Sequence, residues 1–217
     1  MMFKELFIES YKKGVKNRKF KDVYKDLSGT VYEGNLDCSY KKLISLEGAP
    51  KVVKGYFDCS DNNLTSLEGA PREVEDIFTC SVNNLTSLEG APKVVKGDFD
   101  CADNNLTSLE GAPKVVKGSF YCTNNNLTSL EGAPREVERD FYCTNNNLTS
   151  LEGAPKVVKG VFSCVNNNLT SLEGIEGLQC KKLRLPKSIL EKNGGFIEDE
   201  SGVRTKYKLK VKDIKFI

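Results

Sequence analysis

The residues best equipped for chemistry are eight cysteines, and seven stand at one spacing. Cys38, Cys59, Cys80, Cys101, Cys122, Cys143 and Cys164 are each 21 residues from the next. Thiols can pair as disulfides, bind a soft metal or serve as nucleophiles. The pattern argues against all three. Neighbouring units bring two thiols close enough to bond, yet seven equivalent stacked positions cannot all pair, and no secretory leader pattern implies an oxidising compartment. A structural zinc site draws on CxxC pairs and histidine; here there is no CxxC pair and no histidine. A thiol at such a position is read as a small core hydrophobe. Other catalytic signals are missing too. The chain has no phosphate-binding loop and no nucleophile with a local partner, and Asp98 and Asp100 fall on an open strand face without a pocket to tune them. A non-enzymatic chain without cofactor or metal is expected. Six Asn-x-Thr triplets, beginning at Asn63, Asn84, Asn105, Asn126, Asn147 and Asn168, are read as a by-product of the repeat rather than as glycosylation acceptors.

What positions the thiols is a phrase repeated in register, as in Phe99-Asp-Cys-Ala-Asp-Asn-Asn-Leu-Thr-Ser-Leu-Glu-Gly-Ala-Pro-Lys-Val-Val-Lys-Gly118. A fixed period of this length marks a solenoid, in which each unit buries its apolar face against its neighbours. Counting from the cysteine, the apolar columns are the Phe two before (Leu36 in the first unit), the cysteine, the Leu five and eight on, the Ala eleven on and the Val fifteen on. Phe-x-Cys has the period of two that a strand with one inward face requires. Stacked as short parallel strands about 4.8 Å apart, eight of them make a slab of roughly 35 Å.

Three residues after the cysteine stands an asparagine: Asn62, Asn83, Asn104, Asn125, Asn146 and Asn167. A corner leaves backbone groups without ladder partners, and a stacked carboxamide has donors and an acceptor for the loops of its own and the next coil. The Asn-Asn-Leu-Thr-Ser-Leu segments after Phe-x-Cys resemble the conserved segment of leucine-rich repeats, with Phe and Cys in two leucine slots. The resemblance covers about residues 35–185. The 21-residue length is similar to the short bacterial class, and the Glu-Gly-Ala-Pro wording is similar to repeats in bacterial and bacteriophage proteins. The resemblance implies a curved solenoid, α/β by family but mostly β here, whose strand face binds protein partners. Glu-Gly-Ala-Pro opens a return of about ten residues. Proline opposes helix there, so extended or 3₁₀ returns are expected.

The ends differ from the body. Residues 1–34 carry 8 basic against 5 acidic side chains, residues 35–180 carry 13 against 20, and residues 181–217 carry 11 against 5. Phe3, Leu6, Phe7 and Tyr11, then Phe20, Val23, Tyr24 and Leu27, have helical spacing, with Gly14 and Gly29 as helix ends. A helical amino-terminal cap over 1–34 is expected. Between Cys164 and Cys180 the phase breaks, so 35–185 reads as seven full units and a truncated last one. In 186–217, Ser188 to Lys192 suggests a helical turn, Glu200-Ser-Gly202 a hairpin turn from Phe196, and Lys206 to Lys212 a lysine-guarded strand bending near Asp213. No apolar run has membrane-spanning length or signal character, which points to the cytoplasm, or to host cytoplasm if the protein is phage-encoded.

The outward columns of the Phe-x-Cys strand vary while the inward ones hold. Tyr121 and Tyr142 stand side by side there, with Tyr56 farther along and Asp58, Asp98, Asp100 and Asp140 around them. Tyrosine anchors protein interfaces and carboxylates add charge selectivity. These seven residues are the candidate contact set for a protein partner. Two other readings stand beside it: a self-assembling or virion-associated coil, and nucleic-acid binding through basic termini that include Lys12, Lys13, Lys16, Arg18 and Lys19. The row from Glu47 to Glu173 is read as structural, offset by the Lys/Arg row four residues on.

Overall fold

A computed structural model describes residues 17–189 and 210–217. The repeat closes into a parallel β-solenoid of about eight coils with almost no helix. Each coil contributes two strands of two residues. The front strands begin at Leu36, Phe57, Phe78, Phe99, Phe120 and Phe141. The return strands, such as Val52–Val53 and Glu73–Val74, form a second parallel stack on the adjacent side. The Val column was expected to face inward on an extended return; its pairing into a second sheet was not. The two stacks fuse at Val157–Ser163, a single strand running through both.

The inward columns are as regular as the period. The Phe, Cys and both Leu positions from Leu36 to Leu169 are fully buried, and the Val column is at most 1% exposed. Six phenyl rings, Phe57 to Phe162, stack at centroid spacings of 5.2–5.9 Å. Such pairs contribute about 0.5–1.5 kcal/mol each beyond area burial. The tight corner between return and front strands needs a residue without Cβ where coils touch. A Cβ on Gly118 would lie 2.1 Å from Asp98 Oδ1.

The asparagine column holds the opposite corner. Asn104 Oδ1 accepts from Leu85 N at 3.0 Å, and Nδ2 donates to the carbonyls of Cys80, Cys101 and Ala102 at 3.1–3.2 Å. Asn62, Asn83, Asn125, Asn146 and Asn167 repeat this pattern, joining each coil to the preceding one. One position before each of these, Tyr40, Asp61, Val82, Asp103, Asn124, Asn145 and Asn166 take φ of 52–55°. That left-handed region suits Asn and Asp and penalises a β-branched residue.

The caps depart from expectation. Of the amino-terminal cap, the segment carrying Phe3 to Tyr11 lies outside the described residues, and the second expected helix is one turn, Phe20–Val23. Tyr24 is already extended, and Leu27 N bonds Gly48 O at 2.8 Å. The chain thus exchanges further helical bonds for bonds to the first coil. Phe20 and Tyr24 are fully buried, stack at 4.6 Å, and Tyr24 Oη donates to Asp37 O at 3.1 Å.

At the other end Cys180 does not extend the cysteine column. It pairs in register with Val158, while Leu183 pairs with Phe162 and Arg184 with Ser163. The last unit is therefore a full coil with one extra residue before Gln179, not a truncated one. Lys210–Phe216 stacks parallel on Gln179–Leu185, and the change of phase near Asp213 is the corner between return and front sides, made within one strand. Helical backbone is present at Ser188 and Ile189; the rest of the expected helical turn and the Glu200-Ser-Gly202 hairpin lie outside the described residues.

Candidate protein-binding face

Front-strand residues alternate, so the residue between Phe and Cys faces out. By register this column runs Asp37, Asp58, Thr79, Asp100, Tyr121, Tyr142, Ser163, Arg184, Lys215. Tyr121 and Tyr142 stack with centroids 5.5 Å apart and planes 7° apart, both half-buried. Burial, with Asp140 close by, raises the Tyr142 phenol above its ordinary pKa. The pair offers a flat, rigid aromatic step on an otherwise small-residue face.

The carboxylates divide by role. Asp58 Oδ1 accepts from Ser60 N and Oγ at 2.9 and 2.6 Å, and Asp100 Oδ1 accepts from Ala102 N at 2.9 Å. These are local turns that leave the second oxygen of each outward. Burial first, then Asp103, Asp58 and Asp98, hold the Asp100 carboxyl above the ordinary range. Asp98 and Asp140 are fixed by the scaffold instead. Asp98 Oδ1 accepts from Ser119 N and Asp140 Oδ1 from Val161 N, both at 2.7 Å, each across one coil. Asp140 Oδ2 also accepts from Tyr142 Oη at 3.4 Å. Tyr56, half-buried, lies three coils from Tyr121 and its amide donates to Asn35 Oδ1 at 3.2 Å. Of the seven candidates the structure brings together Tyr121, Tyr142, Asp140 and Asp100; Tyr56 and Asp58 lie toward the amino-terminal end.

Sequence reading missed Arg184 and Lys215, because the extra residue in the last coil hid their membership of the outward column. Beside Arg184, a groove of about 390 Å³ is lined by Arg139, Lys159, Lys181, Lys182, Arg184 and Asp140. Lys159 is paired with Glu136 and Glu138 at 3.7 and 3.4 Å; no ion pair engages the other four cations among the described residues.

The thiols are on the inside. All eight cysteines are free and buried. Burial raises the pKa of each, with Cys180 at about 12. Cys59 Sγ donates to Thr79 O at 3.2 Å, and Cys101, Cys122, Cys143 and Cys164 make the same contact with the next coil. Among the described residues no cluster of three His, Cys, Asp or Glu is placed to hold a metal, and no helix is long and apolar enough to cross a membrane. Ion pairing also differs from expectation. No ion pair joins the Glu47–Glu173 row to the Lys/Arg row among the described residues. Lys54–Glu75–Lys96 and Lys117–Glu138–Lys159 ladders run up the return side instead. No protein-family model, curated protein or solved structure matches this chain.

Proposed function

We propose that the chain is a non-enzymatic protein-interaction module that binds its partner through the front face around Tyr121 and Tyr142. The observation that carries this reading is the stacked tyrosine pair, 5.5 Å apart on an outward column whose other members are small or charged. Two rings held parallel by the strand ladder have little side-chain freedom left to lose, which lowers the entropic cost of docking on them. The carboxylates of Asp58 and Asp100 flank the step and select against acidic partners. Asp98 and Asp140 act through the scaffold, holding the corner that sets the Tyr142 strand.

The repeat itself we assign to the leucine-rich class in its short bacterial or bacteriophage form, on the paired leucines and the asparagine corner. A cytoplasmic module of that kind, if phage-encoded, would act on a host factor. The test is quantitative capture by the immobilised full chain and by a Tyr121→Ala/Tyr142→Ala variant that melts at a comparable temperature. A specific partner retained by the wild type and lost by the variant supports the reading; equal retention removes this face from the account.

A further inference from the structure

The outward front column carries its charges in order. Its amino-terminal part holds Asp37, Asp58 and Asp100 with no cation; the tyrosine pair follows; Arg184 and Lys215 close it. The neighbouring left-handed column repeats the bias, with Asp61 and Asp103 giving way to Asn124, Asn145 and Asn166. A column that is acidic at one end, aromatic in the middle and basic at the other is its own complement once turned end for end. That is the condition for an isologous contact, in which the same patch serves both partners.

We propose that the partner of the front face is a second copy of this chain. The copies dock antiparallel about a two-fold axis through the Tyr121–Tyr142 pair, so that Arg184 and Lys215 of each face the Asp58–Asp100 end of the other. The inference rests on the front face being a binding surface and names its occupant. Size sets the strength. Nine front strands about 4.8 Å apart give a face about 40 Å long, and the outward positions span about 13 Å along each strand. Each copy can therefore bury about 500 Å², and about 1,000 Å² in total sits at the lower edge of specific interfaces. The dimer is thus weak, micromolar in dissociation constant, with a salt-sensitive association.

Sedimentation equilibrium of the full chain, with two charge variants, tests it. Asp58→Lys/Asp100→Lys makes both ends basic and Arg184→Glu/Lys215→Glu makes both acidic. Each alone is expected to weaken self-association by at least about tenfold, and an equimolar mixture is expected to restore it as a heterodimer. At about 1 M salt, where the Debye length is about 3 Å, wild-type association is expected to fall as well. Because Asp58 and Asp100 also close local turns, Asp58→Asn/Asp100→Asn serves as a second variant: it keeps the turn acceptors, and weaker association is expected with the melting temperature retained. A wild-type chain that stays monomeric, a dimer unchanged by these variants, or a mixture that restores nothing overturns the self-docking. Capture of another protein that depends on Tyr121 and Tyr142 would then leave the binding face standing and replace only its occupant.

Discussion

Asp98 accepts a hydrogen bond from the amide of Ser119, one coil later, at 2.7 Å, in the space that Gly118 leaves by having no Cβ. Asp140 does the same for Val161 beside Gly160. Where the corner residue is Arg139 rather than glycine, the preceding coil carries Ser119 at the position of Asp98. The carboxylate and the corner glycine thus work as a pair. Asp98→Ala is expected to leave a partly buried amide without its acceptor and to cost about 1.5–3 kcal/mol in urea unfolding. Asp98→Asn, which keeps Oδ1, is expected to cost less than half of that. Equal costs would contradict the assigned role.

The asparagine column makes a sharper stability prediction. Asn104 is 7% exposed and serves one amide and three carbonyls in two coils, whereas Asn167 at the end of the column is only half-buried. Asn104→Ala is expected to destabilise by at least about 3 kcal/mol, since several buried groups lose partners together. Asn167→Ala is expected to cost clearly less. Chemical denaturation of the two variants compares them directly.

Asp100 provides a pH test. Its folded carboxyl pKa is raised, so between the ordinary carboxylate value of 3.8 and the raised one the native state binds more protons than the unfolded chain. Stability contributed by this group therefore falls as pH rises through that window, and the charged form is a standing cost at neutral pH. Asp100→Asn, which keeps the acceptor for Ala102 N, is expected to melt higher than wild type at pH 7. The difference is expected to vanish below the ordinary carboxylate range. A variant that melts lower at pH 7 would contradict the sign.

Val82 is a β-branched residue with φ of 53°, in a column otherwise filled by Tyr, Asp and Asn. Asn124, Asn145 and Asn166 in the same column each donate to the side chain one coil earlier at 2.6–2.9 Å. Val82→Asn is expected to relieve the strain and to extend this outer ladder toward Asp61. The gain is expected to be about 1 kcal/mol, read from the urea midpoint.

The inside of this molecule was readable because packing tolerates so little change. Phe99, Cys101, Leu106 and Leu109 recur at fixed offsets, and all four are fully buried. Hydrogen-bond partners were less readable, because spacing says which way a side chain faces but not which amide it meets. That is why Asp98 and Asp140 were grouped with outward carboxylates, and why Val52–Val53 and its copies were not seen as a second sheet. Cys180 misled by identity: one inserted residue moved it from the cysteine column to the valine column, which also hid Arg184 and Lys215. The helical spacing of Phe20, Val23, Tyr24 and Leu27 is equally served by one helical turn followed by extended chain bonded to the first coil.

Native-state thiol labelling resolved by mass spectrometry tests the inside and outside of the coil most directly. Cys38 to Cys164 are buried with raised pKa values, so the account predicts that these seven take up no alkylating reagent under native conditions and label fully in denaturant, while Tyr121 and Tyr142 are modified by a tyrosine reagent in the folded protein. Rapid labelling of the seven thiols in the folded chain, with Tyr121 and Tyr142 protected, would reverse the two faces and remove the binding surface with them.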